Sequence, residues 1–526
     1  MTDPHTVKNR GLITVCVMLA TVMQVLDMTI ANVALPHMQG GLSAAQDTIT
    51  WVLTSYIVAA AIATPLTGWL ADRLGRKQLF LIAVVGFTVA SLLCGVAMTL
   101  GEMVLFRLLQ GVFGAALVPL SQAVLLDINP RERHAQAMAV WGAGVMVGPI
   151  LGPTLGGWLT DSLNWRWVFF VNLPIGVLAF AGLLALLPAN RPQSRRFDFA
   201  GFGLLAIGLG ALQFFLDRGE RQDWFGSVEI WVELFVAIGA LWMFFVHLVT
   251  SEHAFLDRRL FTDANFMSAI GLVAVVGILI IATAALVPPL QQNLFGYSTL
   301  ESGLVMAPRG GGTMIVMLLL GRISKYFDPR HLLALGLSIT VVAMWWMTQF
   351  SVTMGWLPFV LNNVLQGLGI GLIFAPLSLL SLSTVEPELR TQAAALFSLM
   401  RNIGSSVGLS ILSTALAQGT QINHEQLAEH ISPFNAALNA QLAGAAAMVG
   451  EPYGGTVLAF INMEVTRQAM MIAYLNDFKI IMWMAIMSLP MLLLLRRPQP
   501  RPVAGISPGA RLSSEAPPSD GPEALH

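Results

Sequence analysis

The stretch from Gly68 to Lys77 reads Gly-Trp-Leu-Ala-Asp-Arg-Leu-Gly-Arg-Lys and lies between two long apolar segments. A connection this short leaves room for little more than a tight turn, which Gly75 permits because glycine has no Cβ. We expect Asp72 to pair with Arg76, and its position also suits the positive N-terminus of a neighbouring helix. The charged positions of this loop are Asp72, Arg73, Arg76 and Lys77.

The composition of the whole chain excludes an ordinary soluble protein. Hydrophobic residues make up 56% of the 526 positions and charged residues 11%, and the mean hydropathy is +0.71. A soluble domain carries about 25% charged residues. Both cysteines, Cys16 and Cys94, lie in apolar segments, so the sequence predicts neither a disulfide framework nor a metal cluster.

Fourteen segments are long and apolar enough to cross a bilayer, which needs about 20 residues of helix. We number them spans 1 to 14. They lie near 12–36, 49–70, 79–98, 103–124, 137–160, 167–188, 199–216, 229–250, 266–291, 300–321, 332–350, 357–380, 392–417 and 476–496. Span 1 is expected to be retained, because no small-residue cleavage site follows a short apolar core.

The distribution of basic residues predicts the orientation. With the N-terminus in the cytoplasm, 20 of the 28 Lys and Arg residues fall in cytoplasmic segments. A count shifted by one span would reverse this asymmetry in half of the molecule. The sequence therefore predicts an inner-membrane protein with both termini in the cytoplasm.

The chain is predicted to comprise two six-helix halves, 1–198 and 251–497, with an inserted helix pair at 199–250. The segment 322–331 takes the place in the second half that 71–78 takes in the first. The glycines of 367–371 likewise match Gly111 and Gly114, and such repetition is typical of transporters. The second half includes a long periplasmic loop, 418–475, and a proline-rich tail at 498–526 is expected to be disordered.

Span 1 contains Asp27, the clearest membrane-embedded acid in the sequence. A carboxylate inside a bilayer costs ~2.5–3.5 kcal/mol on insertion scales, so it is a functional candidate by default. Gln24 lies one helical turn before it, on the same face. The alternative is a structural acid that a hydrogen bond neutralises.

Span 4 places Arg107, Gln110, Gly111 and Gly114 on one helical stripe. Arg107 and Asp27 are both predicted to lie in the outer half of the membrane, at depths that a long arginine side chain can bridge. The alternative is a charge that only holds helices together.

Span 5 is rich in glycine and contains two interior prolines, which remove helix hydrogen bonds and are expected to bend it. Glycines four residues apart line one face and allow close approach of another helix. Close packing alone would explain the glycines but not the prolines. The residues concerned are Gly144, Gly148, Pro149, Gly152, Pro153, Gly156 and Gly157.

These motifs together resemble a known family. The stretch 68–77 resembles the signature loop of the major facilitator superfamily, and spans 1 and 5 resemble those of its drug–proton antiporters, with Pro153 as one departure. The segments 164–174 and 466–478 and the arginines of spans 10 and 13 are similar to the 14-helix branch typified by EmrB and QacA, with EmrB the nearer.

The resemblance implies an all-α membrane protein with the major facilitator fold, covering spans 1 to 14. It assigns Asp27 and Arg107 to proton coupling. Candidates for the substrate cavity are Gln24, Gln110, Arg309, Arg401 and Asn402. For Arg309 and Arg401, lining the substrate path and anchoring the two halves remain equally open.

The implied function is proton-coupled multidrug efflux by alternating access, with protons as the coupling ion and no cofactor. Expected partners are small amphipathic substrates, membrane lipid and, through the loop 418–475, a periplasmic adaptor with an outer-membrane channel; a cap over the cavity is the alternative for that loop. Neither a nucleotide-binding loop nor a nucleophile–base pair is evident, so no enzyme is predicted. Nucleic acid and a metal at His424 and His430 are not expected either.

Three other functions remain compatible with the sequence. One is the export of a single metabolite, and another is lipid flipping on the same fold. The third belongs to a different class, a receptor or scaffold that transports nothing, which would have no need of Asp27 or of the glycine–proline motif of span 5.

Overall fold

The computed structural model describes residues 9–45, 48–188, 197–252, 254–323, 326–431 and 455–495. These residues form an all-helical protein, and the described ranges contain no β-strand. We label the helices α1 to α18. Their bounds are α1 Arg10–Gly41, α2 Trp51–Ala63, α3 Leu66–Leu74, α4 Arg76–Val96, α5 Leu100–Gly114, α6 Leu117–Ile128, α7 His134–Ser162, α8 Trp167–Phe170, α9 Asn172–Leu186, α10 Phe199–Arg218, α11 Val228–Thr250, α12 Arg258–Thr262, α13 Ala264–Phe295, α14 Thr299–Ile323, α15 Pro329–Met347, α16 Leu357–Ser383, α17 Arg390–Ala428 and α18 Gly455–Ser488.

The prediction of fourteen spans is confirmed. Thirteen helical segments of the described chain are long and apolar enough to cross a membrane, and the pair α2 and α3 makes a fourteenth when it is counted as one span. The two helices of that pair meet at a bend of 57°. Pro65 lies at the break, where its missing N–H interrupts the hydrogen bonds of the helix.

Several helices are longer than the sequence predicts. Span 1 continues through Pro36 to Gly41 as α1. Helix α17 extends from span 13 to Ala428, and α18 begins at Gly455 before the predicted span 14. The two ends of the predicted loop 418–475 are therefore helical, because α17 extends into its beginning and α18 includes its end. Hydropathy misses such extensions because they are too polar to count as membrane-spanning.

The helices pack in two groups. In the first group, α1 contacts α6, α7 and α9, and α4 packs against α5 and α9. In the second, α13 contacts α16, α17 and α18, and α15 packs against α16 and α18. The groups meet mainly where α7 crosses α14 and α16, and where α17 crosses α3 and α6.

The inserted helices α10 and α11 pack against each other, and α10 also contacts α2 of the first group and α17 of the second. Asp217 accepts a hydrogen bond from Thr54, and Gln213 donates one of 3.1 Å to Ser406. The pair therefore bridges both groups. The exact domain boundaries at 198 and 251 stay predictions.

The outward face of the bundle is apolar, as a lipid environment requires. Helix α11 shows this most clearly, since Phe235 is 66% exposed and Trp242 is 70% exposed. Such a surface would aggregate in water. The chain is a multi-pass membrane protein. The tail 498–526 lies outside the described residues.

Candidate functional site

Asp27 lies in the interior of the first helix group, where its side chain is 1% exposed. It is brought there by α1, which is surrounded by α6, α7 and α9. A charge buried this deeply costs several kcal/mol unless it is paired and hydrogen-bonded. The surroundings of the carboxylate therefore decide what it can do.

Three side chains donate hydrogen bonds to this carboxylate. Arg107 donates from Nη1 to Oδ2 at 2.7 Å. Gln110 donates from Nε2 to Oδ1 at 2.8 Å, and Asn172 donates from Nδ2 to the same oxygen, also at 2.8 Å. The acid on α1 is thus held by one residue pair of α5 and by the first residue of α9.

Arg107 is itself buried, at 1% exposed, and it has further partners. Its Nη1 donates to Oε1 of Gln110 at 2.7 Å, and its Nε donates to the carbonyl of Val52 at 3.1 Å. The guanidinium lies over the ring of Tyr56, with its Cζ 4.4 Å from the centroid. The network therefore connects α1, α2, α5 and α9.

Two local features of α5 position Arg107. The helix begins with a capping box, in which Thr99 accepts a hydrogen bond from the backbone of Glu102 and Glu102 accepts one from the backbone of Thr99. Gly111 then allows α2 to approach closely, because a Cβ there would lie 2.5 Å from the carbonyl oxygen of Tyr56. The predicted stripe of α5 thus faces α2 and the buried acid.

Sequence reasoning missed part of this network. Asn172 belongs to the motif 164–174, but no motif of the sequence includes Ser91 or Tyr56. Asn172 also donates to Oγ of Ser91 at 2.9 Å, and that hydroxyl donates to the carbonyl of Phe169 at 2.9 Å. A polar residue inside an otherwise apolar span was the only available signal, and its partners lie far away in sequence.

Helix α7 contains the predicted span 5, and most of the motif glycines of this span face α1. A Cβ at Gly148 would lie 2.8 Å from the backbone carbon of Val25, and one at Gly156 would lie 3.3 Å from Ile30. Thr29, two residues after Asp27, donates to the carbonyl of Gly148 at 3.1 Å. Gly144 and Gly152 meet Met18 and Thr29 in the same way. Close approach of the two backbones thus places α7 directly behind the helix that carries the acid.

The rest of the predicted span-5 motif behaves differently. A Cβ at Gly157 would find nothing within 4 Å, so this glycine does not belong to the face that meets α1. Pro149 and Pro153 lie inside α7, which runs unbroken from His134 to Ser162. The bend that the prolines were expected to cause stays a prediction.

The loop between α3 and α4 lies at one end of the bundle, which we call the motif end. Gly75 has a φ of +85°, the backbone conformation that glycine adopts most easily. Lys77 donates to the carbonyl of Leu184 at 2.8 Å, and the guanidinium of Arg73 lies 5.1 Å from the centre of the Trp69 ring. Asp72 lies in the last turn of α3.

Arg76 links the two helix groups at the motif end. It forms an ion pair with Asp127 of α6 and donates to the carbonyl of Pro387 at 3.1 Å. Arg390 of α17 reaches the other oxygen of Asp127 at 3.3 Å. Gly68 packs against Gln392, whose Cα would lie 3.1 Å from an added Cβ. Asp127 lies beyond the apolar part of span 4, so hydropathy alone does not mark it as a functional residue.

Among the described residues, two other cavity candidates, Arg309 and Arg401, form hydrogen bonds with residues outside the Asp27 network. Arg309, in α14, donates to the carbonyl of Ile280 at 3.0 Å. Arg401, in α17, donates to Asn402 at 3.4 Å and lies 5.7 Å from the centre of the Phe374 ring. Gln24 is half-buried on α1. No ion pair of Arg309 or Arg401 is found among the described residues.

Aromatic rings connect Arg401 to the first helix group. Phe374 of α16 stacks on Trp141 of α7, with centroids 5.4 Å apart and an interplanar angle of 12°. Trp141 in turn donates to Ser121 at 2.9 Å. The row from Arg401 through Phe374 to Trp141 thus crosses the boundary between the groups.

Comparison with known proteins agrees with this architecture. Residues 17–409 match the model of the Major Facilitator Superfamily. The chain is 36% identical over 468 residues to the multidrug export protein EmrB of Escherichia coli strain K12, covering 88% of this chain and 90% of EmrB. It is also 36% identical over 464 residues to the fatty acid resistance protein FarB of Neisseria gonorrhoeae, covering 88% and 91%.

A solved structure shares the fold at low sequence identity. The crystal structure of the human organic anion transporter MFSD10 (TETRAN) superimposes with a TM-score of 0.58 at 15% identity. The match covers 91% of this chain and 100% of that one. At this identity the likeness extends to the fold alone.

Proposed function

The chain belongs to the major facilitator superfamily, and from this we propose that it exports several small amphipathic molecules in exchange for protons. Relatives named for multidrug export match it over most of its length. The observation that carries the proposal is the buried network of Asp27, Arg107, Gln110 and Asn172. It provides one titratable acid at the meeting point of four helices.

A proton on Asp27 changes the forces between these helices. The carboxylate attracts Arg107 across 2.7 Å, and protonation removes the negative charge while the guanidinium stays charged. Leaving one partner of a buried pair uncompensated costs about 3–5 kcal/mol. Inverting a two-state population from 1:99 to 99:1 needs about 5.5 kcal/mol. Protonation of this one acid therefore supplies a free energy of the right order to shift α1 against α5 and α9.

The contacts at the motif end support a closed gate in this conformation. Arg76, Asp127 and Arg390 tie α4, α6 and α17 together there. The excess of Lys and Arg in the loops supports a cytoplasmic location for this end, with both termini on the same side. In the proposed cycle, this state is open toward the opposite side, where a proton enters and substrate leaves.

The substrate path is proposed to run between the helix groups. Arg401, Phe374 and Trp141 form a row of a cation and two aromatic rings at that boundary. Such surfaces bind flat or cationic amphipathic molecules through ring stacking and cation–π contacts on the aromatic faces. Gln24 and Gln110 are candidates for its polar lining.

A second substrate class has its own support. FarB is named for fatty acid resistance and matches this chain as well as EmrB does. Arg309 and Arg401 are cations without an ion pair among the described residues. The carboxylate of a substrate would therefore provide either of them with a counter-charge. Export of anionic amphipaths of the fatty-acid type is therefore the alternative within the same mechanism.

The proposed setting is the inner membrane, with a periplasmic adaptor docked on the extensions of α17 and α18. These extensions contact each other through His424 and Asn462 at 3.0 Å. A cap over the cavity mouth is the competing role. Deleting the extensions and measuring adaptor pull-down and efflux separately decides between them, and pull-down that survives the deletion rules out docking there.

The function is tested with purified protein in proteoliposomes that carry a pH gradient and a fluorescent amphipathic dye. We expect wild-type protein to move dye against its gradient and Asp27→Asn to lose this while keeping dye exchange at equilibrium. Full ΔpH-driven transport by Asp27→Asn would overturn the coupling role. Lipid movement without dye transport would instead identify a flippase, and an inert protein would identify a receptor or scaffold. A panel of single metabolites tests for a specific exporter.

A further inference from the structure

Helix α18 carries a second buried acid that the mechanism above does not use. The Asp477 side chain is 1% exposed, as deeply buried as Asp27. Its Oδ2 has no hydrogen-bond partner among the described residues, whereas each oxygen of Asp27 accepts at least one. The two acids therefore lie in very different surroundings.

The position of Asp477 follows from the packing of α18. Ala469 accepts a hydrogen bond of 3.4 Å from Asn423 of α17, and Ala473 lies 3.4 Å from a Cβ added at Gly419. Asp477 comes four residues after Ala473, so it continues the same side of α18 toward the motif end. Buried Tyr474 and Phe478 flank it. The carboxyl group is thus held inside the second helix group, away from lipid.

The charged groups on the helices around α18 lie far from Asp477 along the helix axes. Helix α13 contains no Asp, Glu, Lys, Arg or His from Ala264 to Phe295. The contact between Ala473 and Gly419 places Asp477 opposite a residue near 415 of α17. Arg401 is then ~21 Å away along that helix, and His424 and Glu425 are ~14 Å away, at 1.5 Å per residue.

The other charged groups that could pair with Asp477 are also far from it, exposed to solvent, or both. Arg467 of α18 donates to the carbonyl of Val352, just beyond the end of α15. This contact aligns the two helices and places Arg330 and His331, at the other end of α15, ~18 Å from Asp477 along the helix axis. Glu464 and Arg467 are at least ten residues, or ~15 Å, away along α18. Lys479 is exposed and donates to Asn476 at 3.3 Å. Pro490–Leu494 contains no charge, and Tyr474 is the titratable neighbour one turn away.

An ionised carboxylate in such a place has no counter-charge. Burying an unpaired charge costs several kcal/mol, and adding a proton to one oxygen removes that cost. The proton is transferred from a hydronium ion: one of its O–H bonds breaks as the carboxyl O–H bond forms, and a water molecule is left. Burial without a counter-charge therefore favours the protonated form of Asp477 in this conformation, and the acid can release the proton when water reaches it.

The internal repeat supports the same assignment. The stretch Asn363-Val-Leu-Gln366-Gly367 of α16 has the spacing of Arg107-Leu-Leu-Gln110-Gly111 in α5. The second half thus has an asparagine where the first half has its neutralising arginine. Helix α18 packs on α13 and α15 as α9 packs on α1 and α4, and α9 supplies Asn172. The second half therefore carries its acid, Asp477, on α18, and the corresponding helix of the first half, α9, carries the hydrogen-bond donor Asn172.

We propose that Asp477 is a second proton-binding site, located in the second half and independent of the Asp27–Arg107 pair. The proposal rests on the proposed proton antiport and deepens it, since two titrating acids allow more than one proton to be exchanged per substrate. It also assigns a proton site to each helix group.

The direct test is labelling with dicyclohexylcarbodiimide, which reacts with protonated carboxyl groups in apolar surroundings. Purified protein in proteoliposomes is labelled over a series of pH values, and the modified peptides are identified by mass spectrometry. We expect label at Asp477 that falls as the pH rises, no label at that position in Asp477→Asn, and unchanged label in Asp27→Asn. Absence of label at Asp477, or label that does not vary with pH, would overturn the proposal.

The transport test compares the number of protons exchanged per substrate. This ratio is measured from the pH gradient that balances a known substrate gradient. We expect Asp477→Asn to lower it by about one proton while keeping equilibrium exchange, and Glu464→Gln on the same helix to leave it unchanged. An unchanged ratio in a folded Asp477→Asn protein would refute the second site. If Asp27→Asn keeps full coupling, the proposed role of Asp27 is wrong. The pH-dependent labelling of Asp477 then still shows whether Asp477 binds a proton.

Discussion

Arg107 and Asp27 lie 80 residues apart in sequence and meet as an ion pair of 2.7 Å in which both side chains are 1% exposed. The pair joins α1 to α5 inside the first helix group. Its geometry makes the stability of the first helix group depend on both residues together.

Removing Arg107 alone is predicted to destabilise the protein strongly. Arg107→Ala leaves the Asp27 carboxylate buried without its cation, and breaking a buried pair this way costs about 3–5 kcal/mol. The double variant Asp27→Asn with Arg107→Gln has no charge to compensate and is expected to lose much less. Thermal unfolding in detergent measures both.

The matched control for this prediction is Glu464→Gln, which breaks an exposed ion pair with Arg467 and should change the midpoint little. Additive effects of the two single changes at Asp27 and Arg107 would show that the pair is not coupled.

Asn172 is predicted to matter for transport more than Ser91. Asn172→Ala removes a direct donor to Asp27, whereas Ser91→Ala removes only the group that receives a hydrogen bond from Asn172. Loss of a hydrogen bond to a charged group costs about 1.5–3 kcal/mol. We therefore expect ΔpH-driven transport to fall by at least about tenfold in Asn172→Ala.

Initial rates of dye transport in proteoliposomes measure this difference. Ser91→Ala should keep most of the activity. Equal losses in the two variants would mean that Asn172 acts by packing rather than through the carboxylate.

Gly148 is predicted to be far less tolerant of alanine than Gly157. A methyl group at Gly148 would lie 2.8 Å from the backbone of Val25, so α7 would have to move away from α1. Overpacking of this kind costs about 1–3 kcal/mol. At Gly157 nothing lies within 4 Å, so alanine is expected to be neutral or slightly stabilising. Yield and unfolding midpoint of the two variants provide the comparison, and equal tolerance would contradict the close approach of α1 and α7.

Asp127 is predicted to keep the motif end closed. Asp127→Asn leaves Arg76 and Arg390 facing each other without the acid that joins them. We expect the gate to open more often and buried Gln392, changed to cysteine as a reporter, to react faster with a thiol reagent added from the motif side. Cys16 and Cys94 are both buried, so they should contribute little background.

The control variant for the gate is Arg73→Ala, which removes a charge of the same loop that lies over Trp69. It should leave the reaction of the reporter cysteine unchanged. A similar increase in both variants would attribute the effect to the charge of the loop and not to Asp127.

A membrane protein of fourteen spans can be recognised from the amino-acid sequence alone. Runs of about 20 apolar residues report burial in lipid directly, because a spanning helix satisfies its own backbone hydrogen bonds. The sequence also singled out Asp27 and Arg107, since charges inside such runs are costly and therefore rare. The glycines of span 5 were recognised from their four-residue spacing, because that spacing follows from the geometry of one helix.

Only the tertiary structure decided how these residues combine. Asn172 becomes a partner of the acid because α9 packs on α1, and it also meets Ser91, 81 residues away, because α9 packs on α4. Asp127 joins α6 to α17 at the motif end through Arg390, which is 263 residues away. The extensions of α17 and α18 are too polar for hydropathy to detect, and they are helical where each continues a membrane helix. Spacing within one helix is local and can be read from the sequence, whereas which helices become neighbours depends on the packing of the whole bundle.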